Sequence, residues 1–450
     1  MTVTSDLAAW GLALRRDDVP DEVVAAAGRH LLDGLGTAVA AARRGLAQPA
    51  LSVAAGLGGP EEATLLGRGV RISAPAAALA TGTLVHALDF DDTHAGGLVH
   101  ATAVVLPAVL AVGEEVGATG EEAVLAAITG FETVCRIAGA APHAFHQRGL
   151  HATLACGVFA SALVAARLMR LDEPTTVNAL GIAGSSAGGL LEFLATGSST
   201  KQLHPGLASH AGILAARLAA AGADGPDSVI EGDRGLYAAL ADGHADAALV
   251  TADLGVRWET TRIGLKPYPA CQLMHAALDA GLQALPDGPV APDAVAAVTV
   301  EVHPDSAAIV CEPDKTVPRT AYDAKFSLPW SLAALLTDGH VGVDTYAPDS
   351  LARPAVAALA TRVRIVEAPD ARVAADAPSR VDVELTDGRH LTGRVDRSAD
   401  AALTTKLAGN VGGTELAAAL AAAVDGLLAA PDLTALITLA DRLARPEDPA

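Results

Sequence analysis

Residues 151–167 read HATLACGVFASALVAAR, a run that is apolar almost all the way round a helical wheel and opens on a histidine. A helix with no polar face belongs among other helices, not on a half-solvated sheet. Residues 100–113, HATAVVLPAVLAVG, repeat the pattern with the same His-Ala-Thr opening. Outward from these two, residues 21–43, 74–88, 101–117, 120–140, 151–170, 173–190 and 206–221 all accept a helical reading, punctuated by Gly, Pro or Asp. The N-terminal half reads as a helix bundle.

The period changes after about Gly264. Residues 297–303 (AVTVEVH), 362–367 (RVRIVE) and 380–386 (RVDVELT) alternate as half-buried strands do, and Asp387-Gly388 turns the last of them into RHLTGRVD as a hairpin. Residues 325–337 and 350–360 between them look helical, and helical text returns at 413–428 and 431–444. The expectation is a mainly α protein. Its large all-helical domain is built from residues 1–264 and 405–450, with a smaller α+β domain, 265–404, inserted as a lid. The tail ARPEDPA reads as disordered.

Composition agrees. A chain of 450 residues exceeds what one hydrophobic core usually serves. With 51% hydrophobic but 3% aromatic residues, the apolar mass is Ala, Leu and Val, which suits closely packed helices. A net charge of −21 argues against nucleic-acid or anionic-membrane partners, which need a basic face. Cys135, Cys156, Cys271 and Cys311 form no CxxC pair and read as a reduced, cytoplasmic set. The N-terminus lacks a secretory pattern, and no segment offers about 18 consecutive strongly apolar residues, so no membrane span is expected.

Chemistry concentrates at residues 86–100, HALDFDDTHAGGLVH, with three aspartates and three histidines between two apolar helical segments. Unpaired buried charges are heavily penalised, so these groups must meet solvent, a ligand or one another. One Asp or Thr could simply cap the next helix. A metal site is a second option, disfavoured because the run does not match the regular oxygen spacing of a hard-cation loop. A third is an acid–base pair between His100 and an aspartate. His100 and His151 both open apolar helices, where the positive end of the helix dipole keeps an imidazole neutral, as suits a base or an electrophilic donor. His204 and His275 are weaker candidates.

Lysine use gives a separate signal. Only five of the 31 basic residues are lysine, and Lys201 (GSSTKQLHPG), Lys266 (GLKPYPAC) and Lys325 (YDAKFSLPW) sit in composed surroundings where a compact ammonium would matter. GxSxG, GxxxxGK[ST] and HExxH motifs are absent, which removes the hydrolase-elbow, phosphate-loop and zinc-protease readings.

Taken in order, HALDFDDTH (86–94), His100 with its helix, GLHATLACGVFASALVAAR (149–167), LGIAGSSAGGL (180–190), GSSTKQLHPGLASHAGILAA (197–216), KPYPAC (266–271) and KFSLPW (325–330) resemble the MmgE/PrpD family. Its members include 2-methylcitrate dehydratase, cis-aconitate decarboxylase and iminodisuccinate epimerase. The resemblance implies a helical domain with an inserted α+β domain, a homodimer, no metal, no organic cofactor, and a polycarboxylate-type substrate in a basic pocket between the domains. It carries active-site roles onto Asp89, Thr93, His100, His151, Lys201 and Lys266, and the same blocks add His204 and Cys271 to the substrate-binding set.

The implied activity is a cofactor-independent lyase that dehydrates or decarboxylates a small di- or tricarboxylate. His100 or His151 would move the proton, with Asp89 orienting it, Thr93 bonding substrate, and the lysines holding carboxylates as charge develops. An epimerase using the same α-proton abstraction is the nearest alternative, and a non-catalytic binding member is another. Three departures bear on the substrate: Ala101 stands where the family usually has proline, and Gln202 and Gln272 where it often has a basic residue. Fewer cations imply fewer substrate carboxylates than a tricarboxylate carries.

Overall fold

The computed structural model describes residues 2–445, so residues 446–450 of the ARPEDPA tail lie outside the described residues. The chain divides into two compact units. The first holds Met1–Leu191, Lys201–Leu265 and Ala402–Ala450; the second holds Glu192–Thr200 and Lys266–Ala401. Residues 192–200, read from sequence with the helical half, group with the second unit.

In the first unit the apolar runs form helices Asp21–Arg43, Ala74–His86, Ala101–Val116, Gly120–Gly139, Ala152–Leu168, Glu173–Gly184 and His204–Ala220. Every residue of Ala74–His86 is buried, as are all but one of Ala152–Leu168. Local chemistry sets the ends. Thr119 and Glu122 make a reciprocal capping box that starts Gly120–Gly139, and Gly117, at φ 62°, ends the helix before it in the left-handed conformation. Small residues let the helices approach closely: a Cβ on Gly212 would come within 2.8 Å of Ser161, Ala162 and Val158 in the facing helix. Helix Asp21–Arg43 packs against Leu403–Val411 and Thr434–Ala444 from the chain's end.

The unit is mainly helical but not all-helical. Ala63–Leu65 pairs with Val70–Ile72, and Thr93–His94 pairs antiparallel with Ile263–Gly264. Both ladders are too short to show a period of two, and the second joins residues some 170 positions apart, so no local pattern betrays it.

The second unit carries a four-stranded sheet in the order Val363–Glu367, Val295–Val302, Ser379–Leu385, His390–Val395. The first pair is parallel and the others antiparallel. Ser379–Leu385 buries every second side chain, and its hairpin turns through Gly388 at φ 88°. Helix His275–Gln283, which periodicity did not mark, lies on the two hairpin strands, and Gly393 admits it: a Cβ there would meet the Ala280 carbonyl oxygen at 1.9 Å. Among the described residues no single helix is long and apolar enough to cross a membrane.

Candidate active site

Helix Ala74–His86 ends where HALDFDDTH begins, and the chain doubles back through Asp89, held at φ 51°. The three aspartates point to three different partners. Asp92 is the cap: its carboxylate accepts from the backbone N–H of Thr102 at 3.1 Å and from the Thr102 hydroxyl, in the first turn of Ala101–Val116, and stands 3.1 Å from Nδ1 of His30. Burial pushes its carboxyl up, but bonds from His30 and Thr102 outweigh this and hold it below the usual range. Asp91 accepts from Nδ1 of His86 with both oxygens, at 2.8 and 2.9 Å. Asp89 takes the ammonium of Lys201 at 2.8 Å. All three carboxylates are fully buried, and each has a partner that offsets its desolvation.

His100 lies at the centre. Its backbone N–H donates to the Thr153 hydroxyl at 3.1 Å, and Nδ1 is 3.0 Å from the carbonyl oxygen of Asp92 and 3.3 Å from Oγ1 of Thr93. A carbonyl oxygen only accepts, so Nδ1 carries the hydrogen and Nε2 presents a lone pair. That lone pair faces Nζ of Lys201 at 3.3 Å. Thr93 Oγ1 accepts from the ring, which leaves its own O–H available to a third group.

The rings of His86 and His100 lie 4.5 Å apart by centroids, and His151 stacks on His86 at 5.8 Å and lies tilted 5.7 Å from His100. His151 Nδ1 meets His204 Nδ1 at 3.0 Å. Burial, with the Lys201 charge adding, drives His151 well below the ordinary histidine range. Burial also lowers His86, although Asp91 opposes it, and takes His204 down to about 4. Burial thus favours the neutral form of three of these imidazoles beside the one Lys201 ammonium.

His86, Asp89, Asp91 and His100 also place ligand atoms within 4.8 Å of one another, a spacing that a metal ion could accept. Lys201, bonded to two of these four, supplies a cation of its own at that point.

Of the residues singled out from sequence, Asp89, Thr93, His100, His151, Lys201 and His204 gather in the first unit, all of them buried. Lys266 and Cys271 belong to the second unit; Lys266 is fully buried, and the half-buried Cys271 donates its N–H to the carbonyl oxygen of Lys325. His86 was given no role from sequence, and Asp91 figured only as one member of the acidic run. Asp91 is set on His86 and Asp92 on His30, while Asp89, the aspartate expected to orient a histidine, meets the lysine.

Residues 5–248 match the MmgE/PrpD N-terminal domain and residues 268–405 the MmgE/PrpD C-terminal domain. A cis-aconitate decarboxylase of Aspergillus terreus is 31% identical over 290 residues, which cover 62% of this chain and 59% of that relative's length. A cis-aconitate decarboxylase-like protein of Aspergillus oryzae is 27% identical over 414 residues, covering 86% and 84%. The human cis-aconitate decarboxylase is 26% identical over 343 residues, covering 73% and 69%. With both domains matched in order along most of its length, this chain belongs to the MmgE/PrpD family.

Proposed function

We propose that the protein is a lyase that decarboxylates a small di- or tricarboxylate, as its named relatives suggest. The observation that carries this reading is the Lys201 ammonium, buried between Asp89 at 2.8 Å and Nε2 of His100 at 3.3 Å. Loss of CO2 breaks a carbon–carbon bond and leaves its electron pair on the substrate, where it spreads into a remaining carboxyl group. A fixed cation in a water-poor site stabilises that charge as it develops. The pair then takes up one proton, which Lys201 supplies directly or through Nε2 of His100, and solvent restores it. His151 and His204, kept neutral, donate hydrogen bonds to substrate oxygens without adding charge. The proposal includes a homodimer and no need for added metal or organic cofactor.

A second reading is favoured by the His100 tautomer. With Nδ1–H fixed on the Asp92 carbonyl, Nε2 can equally abstract an α-proton, which opens dehydration or epimerisation.

Proton NMR in D2O with cis-aconitate, 2-methylcitrate and a panel of other di- and tricarboxylates, with and without EDTA, tests both. The proposal expects CO2 release, insensitive to EDTA, with one deuterium on the product carbon. Deuterium washing into recovered substrate, or water loss, without CO2 would establish the second reading. An inert protein across the panel would sink both.

A further inference from the structure

A second buried ion pair lies behind the 89–92 loop, and the chemistry above does not use it. Lys406, on the helix Leu403–Val411, places Nζ 2.7 Å from Oδ1 and 2.9 Å from Oδ2 of Asp33, which lies within helix Asp21–Arg43. The same Nζ donates to the backbone oxygen of Phe90 at 2.7 Å and sits 4.2 Å from the centre of the Phe90 ring. Asp33 is 1% exposed and Lys406 7%.

Phe90 is the residue between the two aspartates that hold Lys201 and His86. Its neighbour Asp89 occupies the left-handed region, where a non-glycine residue costs about 1 kcal/mol and persists only if its surroundings hold it. The Lys406 bond to the Phe90 carbonyl is such a hold.

Stability does not account for the pair. A buried ion pair typically does no better than apolar residues of the same shape. Burial here pushes the Asp33 carboxyl up to about 6 even with Lys406 against it. Asp92 from the loop adds to the rise, and His30 on the same helix opposes it. What the pair provides that apolar residues could not is a donor for the carbonyl at the apex of the loop.

We infer that Asp33 and Lys406 are positioning residues: Asp33 aims the Lys406 ammonium at the Phe90 carbonyl, and this bond sets the directions of Asp89 towards Lys201 and of Asp91 towards His86. Helix Leu403–Val411, more than 300 positions from the loop, thereby takes part in building the site. The inference rests on the proposed function only in taking that site to be the working one.

Three variants test it: Lys406→Met, Asp33→Asn and the double variant. Each single change leaves a buried group without its counter-charge and lowers Tm. The double variant removes both charges and should regain most of the Tm, yet keep a roughly 10- to 100-fold loss of kcat, because Phe90 still lacks its donor. Imidazole 15N resonances of His86 and His100, assigned through His86→Gln and His100→Gln, should be displaced in the double variant as well. Wild-type turnover or unmoved imidazole resonances in a stable double variant would show the pair to be structural only and overturn the inference. If the wild-type protein turns over none of the panel acids, the functional reading fails, and the imidazole resonances alone decide this one.

Discussion

Nδ1 of His151 lies 3.0 Å from Nδ1 of His204, so one ring must donate and the other accept, and the two hold opposite tautomers. Protonating both at once would put two donors face to face. This is the arrangement expected of rings that burial keeps neutral.

Acid should therefore destabilise the fold through these rings before most carboxylates titrate, with Asp33, raised to about 6 in the folded protein, acting in the opposite sense. In the unfolded chain these rings titrate near 6.5, and there they take protons that the folded protein refuses. Their contribution to stability is complete above that pH and is lost as pH falls towards the folded value, about 4 for His204. That displacement alone amounts to about 3 kcal/mol. Thermal unfolding followed from pH 7.5 to pH 5 should show a falling Tm, and His204→Gln should flatten the slope. An identical slope in the variant would mean that His204 takes up its proton as readily in the folded protein as in the unfolded chain.

Lys201 is assigned both electrostatic stabilisation and proton delivery, and arginine separates the two. Lys201→Arg keeps a cation for Asp89 but cannot release a proton near neutral pH. If delivery matters, turnover should fall by about 100-fold or more while Tm stays close to wild type. Lys201→Met, which strands the Asp89 carboxylate, should instead cost about 3–5 kcal/mol of stability, read by urea unfolding. A nearly fully active Lys201→Arg protein would leave Lys201 an electrostatic role alone.

What could be read from sequence divides along a physical line. Helices such as Ala152–Leu168 and strands such as Ser379–Leu385 are visible because burial stamps a local period on the residues, and Asp387-Gly388 because a turn needs particular backbone angles. The pairing of Thr93–His94 with Ile263–Gly264 leaves no such stamp. The same holds within the site. HALDFDDTH stands out as chemistry, but which aspartate serves which partner depends on the backbone direction at Asp89, and adjacent identical residues do not encode that individually. Lys201 and Asp89 are 112 positions apart, and Lys406 and Asp33 are 373 apart, so nothing in the neighbourhood of one partner points to the other.

Asp91→Asn tests the carboxylate that sequence reading left undistinguished within the acidic run. His86 is fully buried, and its Nε2 has no hydrogen-bond partner among the described residues, so the two bonds from Nδ1 to Asp91 fix the ring. An amide offers one weaker acceptor in their place, or draws the ring hydrogen over to Nε2 so that Nδ1 accepts from its NH2 group, and in either case the paired charge-assisted bond is lost. The ring should tilt against His100, 4.5 Å away. A roughly 10- to 100-fold drop in kcat is expected, with the far-UV circular dichroism spectrum retained, as for other supporting groups one step removed from the chemistry. Unchanged kcat would show that the His86 orientation does not reach the reacting groups.

Gly206 sets how closely the helix bearing His204 approaches its neighbour. A Cβ at this position would lie 2.2 Å from the carbonyl oxygen of Leu79 and 2.7 Å from the Thr83 hydroxyl, and a Cβ on Gly82 opposite would be 2.7 Å from the Gly206 backbone. Backbone cannot yield as a flexible side-chain end does, so Gly206→Ala must push helices Ala74–His86 and His204–Ala220 apart. Overpacking of this kind costs about 1–3 kcal/mol. The movement carries His204 with it and pulls on Lys201 three residues earlier, so kcat should fall together with the urea midpoint. Gly56→Ala is the control: it lies in helix Gln48–Leu57 with nothing within 4 Å of the added carbon, and should stabilise by about 0.5–1 kcal/mol through helix propensity with activity intact. If Gly206→Ala behaved like Gly56→Ala, the close approach of the two helices would not be what holds His204 and Lys201 in place.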